Sequence, residues 1–198
     1  MFLTFEGIDG SGKSTQARLL AEALAADGRD VVATREPGGT DAGERIRELI
    51  LSGPEVAPWT EAALFAAARA QLVEEVIAPA LARGADVVCD RYLDSSLAYQ
   101  GIARGLGVER VLELNVHAIR GILPDRTFLL LVDPEESARR LREPGDRIEG
   151  EDEAFRARVA EAYEELAAAF PQRIVALDGT RPAAELAQEI LEGVRQHS

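Results

Sequence analysis

Phe2-Leu3-Thr4-Phe5-Glu6-Gly7-Ile8-Asp9-Gly10-Ser11-Gly12-Lys13-Ser14-Thr15 is the stretch on which the fold turns. Phe2–Phe5 is a short apolar run suited to a buried strand, and Ala17, Leu20 and Leu24 mark one face of a helix that Gly28 can cap. Between strand and helix, Gly7–Ser14 fits the pattern G-x-x-x-x-G-K-[ST]. Glycines there let successive backbone N–H groups turn inward around an anion, and the helix N-terminus adds its positive dipole. Lys13 then reaches the β- and γ-phosphates, and the Ser14 hydroxyl is set to ligate Mg²⁺. Chance would give this pattern in fewer than about one chain in a hundred at average glycine and lysine usage. The strand before it and the helix after it lower that further.

The same alternation continues outward. Val31–Ala33, Val87–Cys89, Phe128–Val132 and Ile174–Leu177 are apolar runs without polar alternation, as expected of strands covered on both faces. Helical patterns separate them: Glu61–Leu81, with Pro79 expected to bend its last turn, and Asp152–Phe170, striped by Phe155, Val159, Tyr163 and Leu166. A last helix opens at Pro182 and ends near Val194. The expected fold is α/β: a five-stranded parallel sheet with helices on both faces and right-handed crossovers, one domain over residues 1–198. Ligands of such a fold bind beyond the carboxyl ends of the strands. The polar, Gly/Pro-containing stretch at about 140–152 is either a solvated loop or a short lid.

Composition excludes several classes. Net charge is −13, and no basic run is dense enough to hold a polynucleotide against that balance. A small anionic substrate remains open, because a pocket can be basic within an acidic whole. No apolar run approaches the ~20 residues of a membrane span, and Glu6 and Asp9 come too early for a secretory leader. Cys89, the one cysteine, reads as a small core residue of a protein in a reducing, cytoplasmic setting. Of 22 basic residues only Lys13 is a lysine. A guanine reader of the Asn-Lys-x-Asp type needs a second one.

Further features sit at the expected strand ends: Thr34-Arg35-Glu36-Pro37-Gly38-Gly39-Thr40, then Asp90-Arg91-Tyr92, Asp94-Ser95-Ser96 and Tyr99-Gln100-Gly101. Phe65 and Arg69, four apart, share a helix face. Asp90 can hold a metal's water shell and Arg91 can clamp an acceptor phosphate. Asp9 is anomalous: a carboxylate inside a phosphate cradle needs a sugar hydroxyl, an arginine or a metal as partner. Arg139, Arg140, Arg142 and Arg147 follow in the lid stretch. A surface ion pair is the competing use for any one of these arginines.

Taken together, Asp9, Glu36-Pro37-Gly38-Gly39, Leu64-Phe65 with Arg69, Asp90-Arg91-Tyr92, Ala98-Tyr99-Gln100-Gly101 and Asp146-Arg147-Ile148-Glu149 resemble bacterial thymidylate kinases along nearly the whole chain. That resemblance implies ATP and dTMP as substrates, Mg²⁺ as cofactor and a homodimer. It implies that Gly7, Ile8, Asp9, Gly10, Ser11, Gly12, Lys13, Ser14 and Thr15 hold ATP. It leaves Arg139, Arg140 and Arg142 open as the residue flanking adenine, with Arg140 the assignment made. Phe65 would stack on thymine, and Arg69 would bond the base carbonyl. Ser95, Ser96 and Gln100 would line its polar edge. Tyr99 would crowd the 2′ position and Asp9 would take the 3′-hydroxyl. Arg35, Arg47 and Arg91, with Glu36 and Pro37 beside them, would surround the acceptor phosphate. The Glu36–Pro37 bond would be cis. Ser14, and Asp90 through water, would hold the metal. Gly10-Ser11 carry no arginine, so the catalytic arginines would come from the lid, Arg147 and Arg142, acting with Lys13 and Arg91.

The implied reaction is in-line transfer of the γ-phosphoryl group to an already anionic acceptor oxygen, which needs positioning and charge neutralisation but no general base. A kinase for another nucleotide or nucleoside, and a nucleotide-dependent switch without a small acceptor, are the competing readings. His117 and His197 are expected to be structural or surface residues.

Overall fold

In the computed structural model, which describes residues 1–141, 147–148 and 150–196, each of the five apolar runs forms a strand. They are β1 (Phe2–Glu6), β2 (Val31–Arg35), β3 (Asp86–Asp90), β4 (Arg126–Leu131) and β5 (Ile174–Asp178). They make one parallel sheet in the order β2-β3-β1-β4-β5. The phosphate loop therefore leaves the central strand where the strand order reverses, the crevice in which open α/β sheets bind ligands.

Continuous apolar runs are explained by two cores, one on each face. Phe2, Val87, Cys89 and Leu129 pack under α3 (Pro58–Leu72), α6 (Val108–Ile119) and α8 (Glu153–Ala169). Leu3, Phe5, Val88, Phe128 and Leu130 pack under α1 (Lys13–Ala26) and α9 (Ala183–Arg195). Full burial of one such side chain stabilises by about 1.5–3 kcal/mol. Cys89 lies wholly in the core, as expected. β2 and β5 depart from the expectation: they are the sheet edges and stay half exposed. The run Val31–Ala33 is as apolar as Val87–Cys89, but position in the sheet, not composition, decides coverage.

The expected Glu61–Leu81 helix begins earlier, with Pro58 in its first turn. It does not simply bend at Pro79. A π-helical turn, Val73–Ile77, joins α3 to α4 (Ala78–Ala82). Pro79 has no N–H for the Glu75 carbonyl and its ring crowds that oxygen, and the slipped register relieves both. The Asp152 carboxylate caps α8 by accepting from the Phe155 N–H, and all four stripe residues of that helix are buried. Elsewhere α2 (Asp41–Ser52) follows β2, α5 (Leu93–Ser96) follows β3, and α7 (Pro134–Arg140) follows β4.

Candidate active site

The loop after β1 is fixed from two sides. Gly10 has φ +79°, and a Cβ there would sit 2.7 Å from the Ser137 carbonyl oxygen on α7. The Ser137 hydroxyl donates to the Asp9 carbonyl oxygen, so α7 closes on the loop like a clasp. Inside the loop, the Lys13 ammonium donates to the Ile8 carbonyl (3.3 Å) and to Asp9 Oδ1 (2.9 Å). Asp9 Oδ1 also accepts from Arg91, which follows β3. Burial alone would raise the Asp9 carboxyl, but Arg91 and Lys13 overcome it and hold Asp9 well below the usual carboxylate range. The partner that the Asp9 charge demanded is therefore two cations, one from each side of the crevice.

Arg91 itself adopts a left-handed backbone (φ 68°), uncommon for a non-glycine residue. Its N–H is fixed to the Phe5 carbonyl, and the next N–H, of Tyr92, to Glu6 Oε1 (2.8 Å). This turns the guanidinium back over the loop, where it donates to Gly7 O, Ser95 Oγ and Tyr163 Oη.

Beyond these cations opens a cavity of about 250 Å³. Lys13, Ser14, Asp9, Asp90 and Arg91 form one wall; Arg35, Glu36, Pro37 and Arg47 form another. Phe65, Ser95, Tyr99 and Gln100 also line the cavity. Four cations (Lys13, Arg35, Arg47, Arg91) face three carboxylates (Asp9, Glu36, Asp90) in a chain whose net charge is −13. Arg35 is tied to Glu44 by a half-exposed pair, and Arg47 donates to the Pro37 carbonyl (2.8 Å). Exposed pairs are worth little, so Arg35 can be recruited by a ligand at small cost. The Glu36–Pro37 bond is cis, as expected. Asp90 Oδ1 is buried without a hydrogen-bond partner among the described residues, and Ser14 shares its wall. A hard divalent cation with its water shell, completed by nucleotide phosphates, fits that pair.

Arg69, Ser96, Arg140 and Arg147 are not among the residues lining this cavity. Arg69 is 1% exposed and does not line the cavity. Its five N–H donors are consumed by Glu36, Ser96 (3.1 Å), Asn115 and the Tyr92 carbonyl (3.0 Å), a buried knot behind the wall. Ser96 is buried in the same knot, and neither residue is among those lining the cavity. A guanidinium taken out of water must satisfy every donor, and here the protein does so itself. Arg147 is also occupied: it pairs with Glu61 (2.9 Å) and donates to the Ile50 carbonyl (2.9 Å), fastening its segment to α2 and α3. Its neighbour Ile148 is the one that meets the cavity. Arg140 pairs with Glu136 and donates to Gly179 O (3.0 Å), beside the phosphate loop. Arg142 and His197 lie outside the described residues, as do Asp146 and Glu149.

Several residues were absent from the expected site. Leu51 lines the cavity. Glu61, buried at the start of α3, binds Gln100 (3.0 Å), Arg104 and Arg147 together. Glu6 and Tyr163 stand behind Arg91. Only Glu6 left a trace in the sequence, as a lone carboxylate ending an otherwise apolar strand.

A family model described as thymidylate kinase matches residues 5–190. The thymidylate kinase of Caldanaerobacter subterraneus subsp. tengcongensis is 44% identical over 198 residues, covering 99% of this chain and 95% of its own. That of an Exiguobacterium species is 47% identical over 196 residues, covering 97% and 92%. Among solved structures, thymidylate kinase from Ehrlichia chaffeensis superposes with a TM-score of 0.81 at 34% identity, over 98% of both chains.

Proposed function

This chain belongs to the thymidylate kinase family, and from that premise we propose that its cavity joins two phosphate sites, one for ATP and one for dTMP. The observation that carries the reading is the ion chain Lys13–Asp9–Arg91. It holds a donor-phosphate lysine and an acceptor-phosphate arginine to one carboxylate, so both cations already face the space where a phosphoryl group would pass. Lys13 would draw negative charge from the β- and γ-oxygens as the bond to the leaving group lengthens. Arg91, with Arg35 and Arg47, would hold the acceptor phosphate in line for attack by its own anionic oxygen. Phe65 offers a ring face to a base, and Gln100 an amide to its edge. Tyr99 donates to Asp9 Oδ2 only at 3.4 Å, a contact that a sugar hydroxyl on Asp9 would displace cheaply. Mg²⁺, held by Ser14 and through water by Asp90, would neutralise phosphate charge when bound. Arg140 beside the loop suits the adenine end of ATP. A cytoplasmic homodimer completes the proposal. No helix among the described residues is long and apolar enough to cross a membrane.

Initial rates with Mg·ATP and dTMP, dUMP, dCMP, AMP or thymidine test the acceptor. A preference for dTMP of at least about tenfold in kcat/KM over each other monophosphate is expected, with no measurable use of thymidine. Equal rates across the panel would sink the dTMP assignment. Nucleotide hydrolysis with no acceptor dependence would favour a switch.

Catalytic assignment of Arg147 has its own test. It is bound to Glu61, so it must exchange that partner to reach a phosphate. Arg147→Ala is expected to lower kcat at least about tenfold while KM for dTMP changes less than about threefold, as befits an interaction made in the transition state. A wild-type kcat would reduce Arg147 to a fastening for its segment.

A further inference from the structure

Taking the kinase reading as its basis, we infer that Glu6 is a positioning residue, holding Arg91 over the phosphate loop through the hydroxyls of Ser95 and Tyr163. Glu6 is fully buried at the carboxyl end of β1 and is not among the residues lining the cavity described above. Four donors converge on it. The N–H groups of Tyr92 (2.8 Å) and Ser95 (3.1 Å) reach Oε1, and the hydroxyls of Ser95 (2.6 Å) and Tyr163 (2.9 Å) reach Oε2. The same two hydroxyl oxygens accept from the Arg91 guanidinium at 3.0 and 3.1 Å.

Proton counting gives the arrangement a sense. With Glu6 ionised, both hydroxyls donate inward and turn their lone pairs to Arg91, so every donor finds an acceptor. A proton on Oε2 must itself be donated to Ser95 or Tyr163. The hydroxyl that accepts it turns its own hydrogen to the other hydroxyl, 3.0 Å away, so one lone pair that could face Arg91 is drawn into a neutral ring. The brace is therefore strongest with the carboxylate, whose charge attracts Arg91, and is weakened on protonation.

That proton is within reach at ordinary pH. Burial and the nearby Asp94 push the Glu6 carboxyl up to about 7, against Arg91 and its hydrogen bonds. Facing it from the packed elements are Asp94 on α5, Arg173 before β5, Arg69 on α3, Cys89 on β3, and the Tyr99 and Tyr163 phenols. Asp94 is itself held by Arg173. Phenol and thiol are all raised by burial and stay neutral here, so of the acids in this cluster Glu6 is the one pushed toward neutral pH. The active form is the deprotonated one, and activity should rise through that pH.

Glu6→Gln tests this in the full chain with Mg·ATP and dTMP. The amide has one acceptor edge where the carboxylate has two. Expected is a fall of about tenfold in kcat/KM for dTMP at pH 8, KM for ATP within about twofold, and loss of the acid limb near pH 7 that the wild type shows. An acid limb common to both proteins near pH ~6 belongs to the second ionisation of the acceptor phosphate. Superimposable wild-type and variant profiles would overturn the inference. If Glu6→Gln does not fold, Tyr163→Phe removes one arm of the brace. About a threefold loss in kcat/KM supports the inference, and wild-type values with an unchanged limb overturn it. A wild type inert toward dTMP would sink the kinase reading instead. The brace is then judged without substrate, from the Arg91 Nε–H resonance in ¹⁵N NMR. Movement through pH 7 in wild type but not in Glu6→Gln supports it, and an immobile resonance in both overturns it.

Discussion

Lys13→Ala is expected to lower kcat about a thousandfold or more while the melting temperature shifts by no more than a few degrees. The size follows from the role: removing one preorganised donor from developing charge costs about 10²–10³, and Lys13 brings a full charge rather than a dipole. The modest structural effect follows from what remains. Asp9 keeps Arg91 as partner, its side chain is a quarter exposed, and the loop backbone is still clasped by Ser137. In the wild type, burial and the Arg91 charge lower the Lys13 ammonium, and Asp9 opposes them. Deleting the lysine thus also relieves a repulsion. A coupled assay for ADP and a thermal melt on the same sample decide the matter. Turnover within about tenfold of wild type would show that the phosphate cradle is not where transfer happens.

Arg69→Ala is expected to act on stability before it acts on turnover. Removing one partner of a buried pair costs about 3–5 kcal/mol, because the other charge is left uncompensated. Here the abandoned group is Glu36, whose Oε1 already lacks a partner among the described residues. Burial raises its carboxyl and only Arg69 opposes that. At roughly 2–4 °C per kcal/mol for a domain of this size, the melting temperature should fall by about 6–20 °C. Glu36→Gln in the same background should recover part of the loss. If Arg69 instead served only to read the base, the variant would melt like the wild type and lose dTMP affinity alone. The two measurements separate scaffold from recognition at a residue whose sequence position suggested recognition.

Much of this molecule can be read along the chain, and the limits have physical reasons. The phosphate loop was legible because its function is local: eight consecutive residues make the cradle, and the strand and helix that hold it adjoin them. Five strands were legible from apolar runs, yet their order was not, so edge strand β2 could not be told from interior strand β3. The cavity residues were legible in number, from Asp9 to Gln100, since strand ends in a parallel sheet converge. Their connections were not. Glu6, Arg91, Ser95 and Tyr163 are drawn together only by the sheet order and the crossing of α8, and no spacing announces it. Arg69 shows the converse case. Helix spacing from Phe65 put both on one face, but depth on that face decides whether a guanidinium meets a ligand or the protein interior. The π turn before Pro79 likewise belongs to packing; sequence shows a proline and cannot say whether the helix kinks, ends or slips.

The solitary lysine has a consequence for anyone handling this protein. The other 21 of the 22 Lys and Arg side chains are guanidinium groups, inert to ordinary acylating reagents, so the chain offers a single ε-amine, and that amine is 6% exposed at the base of the phosphate loop. Fluorophores, biotin or resin coupled through lysine can attach there only by entering the site, and nucleotide should shield it. Acyl labelling of Lys13, read at that residue, thus becomes an occupancy gauge, while immobilisation for binding work can go through the Met1 α-amine, which pairs with Asp86.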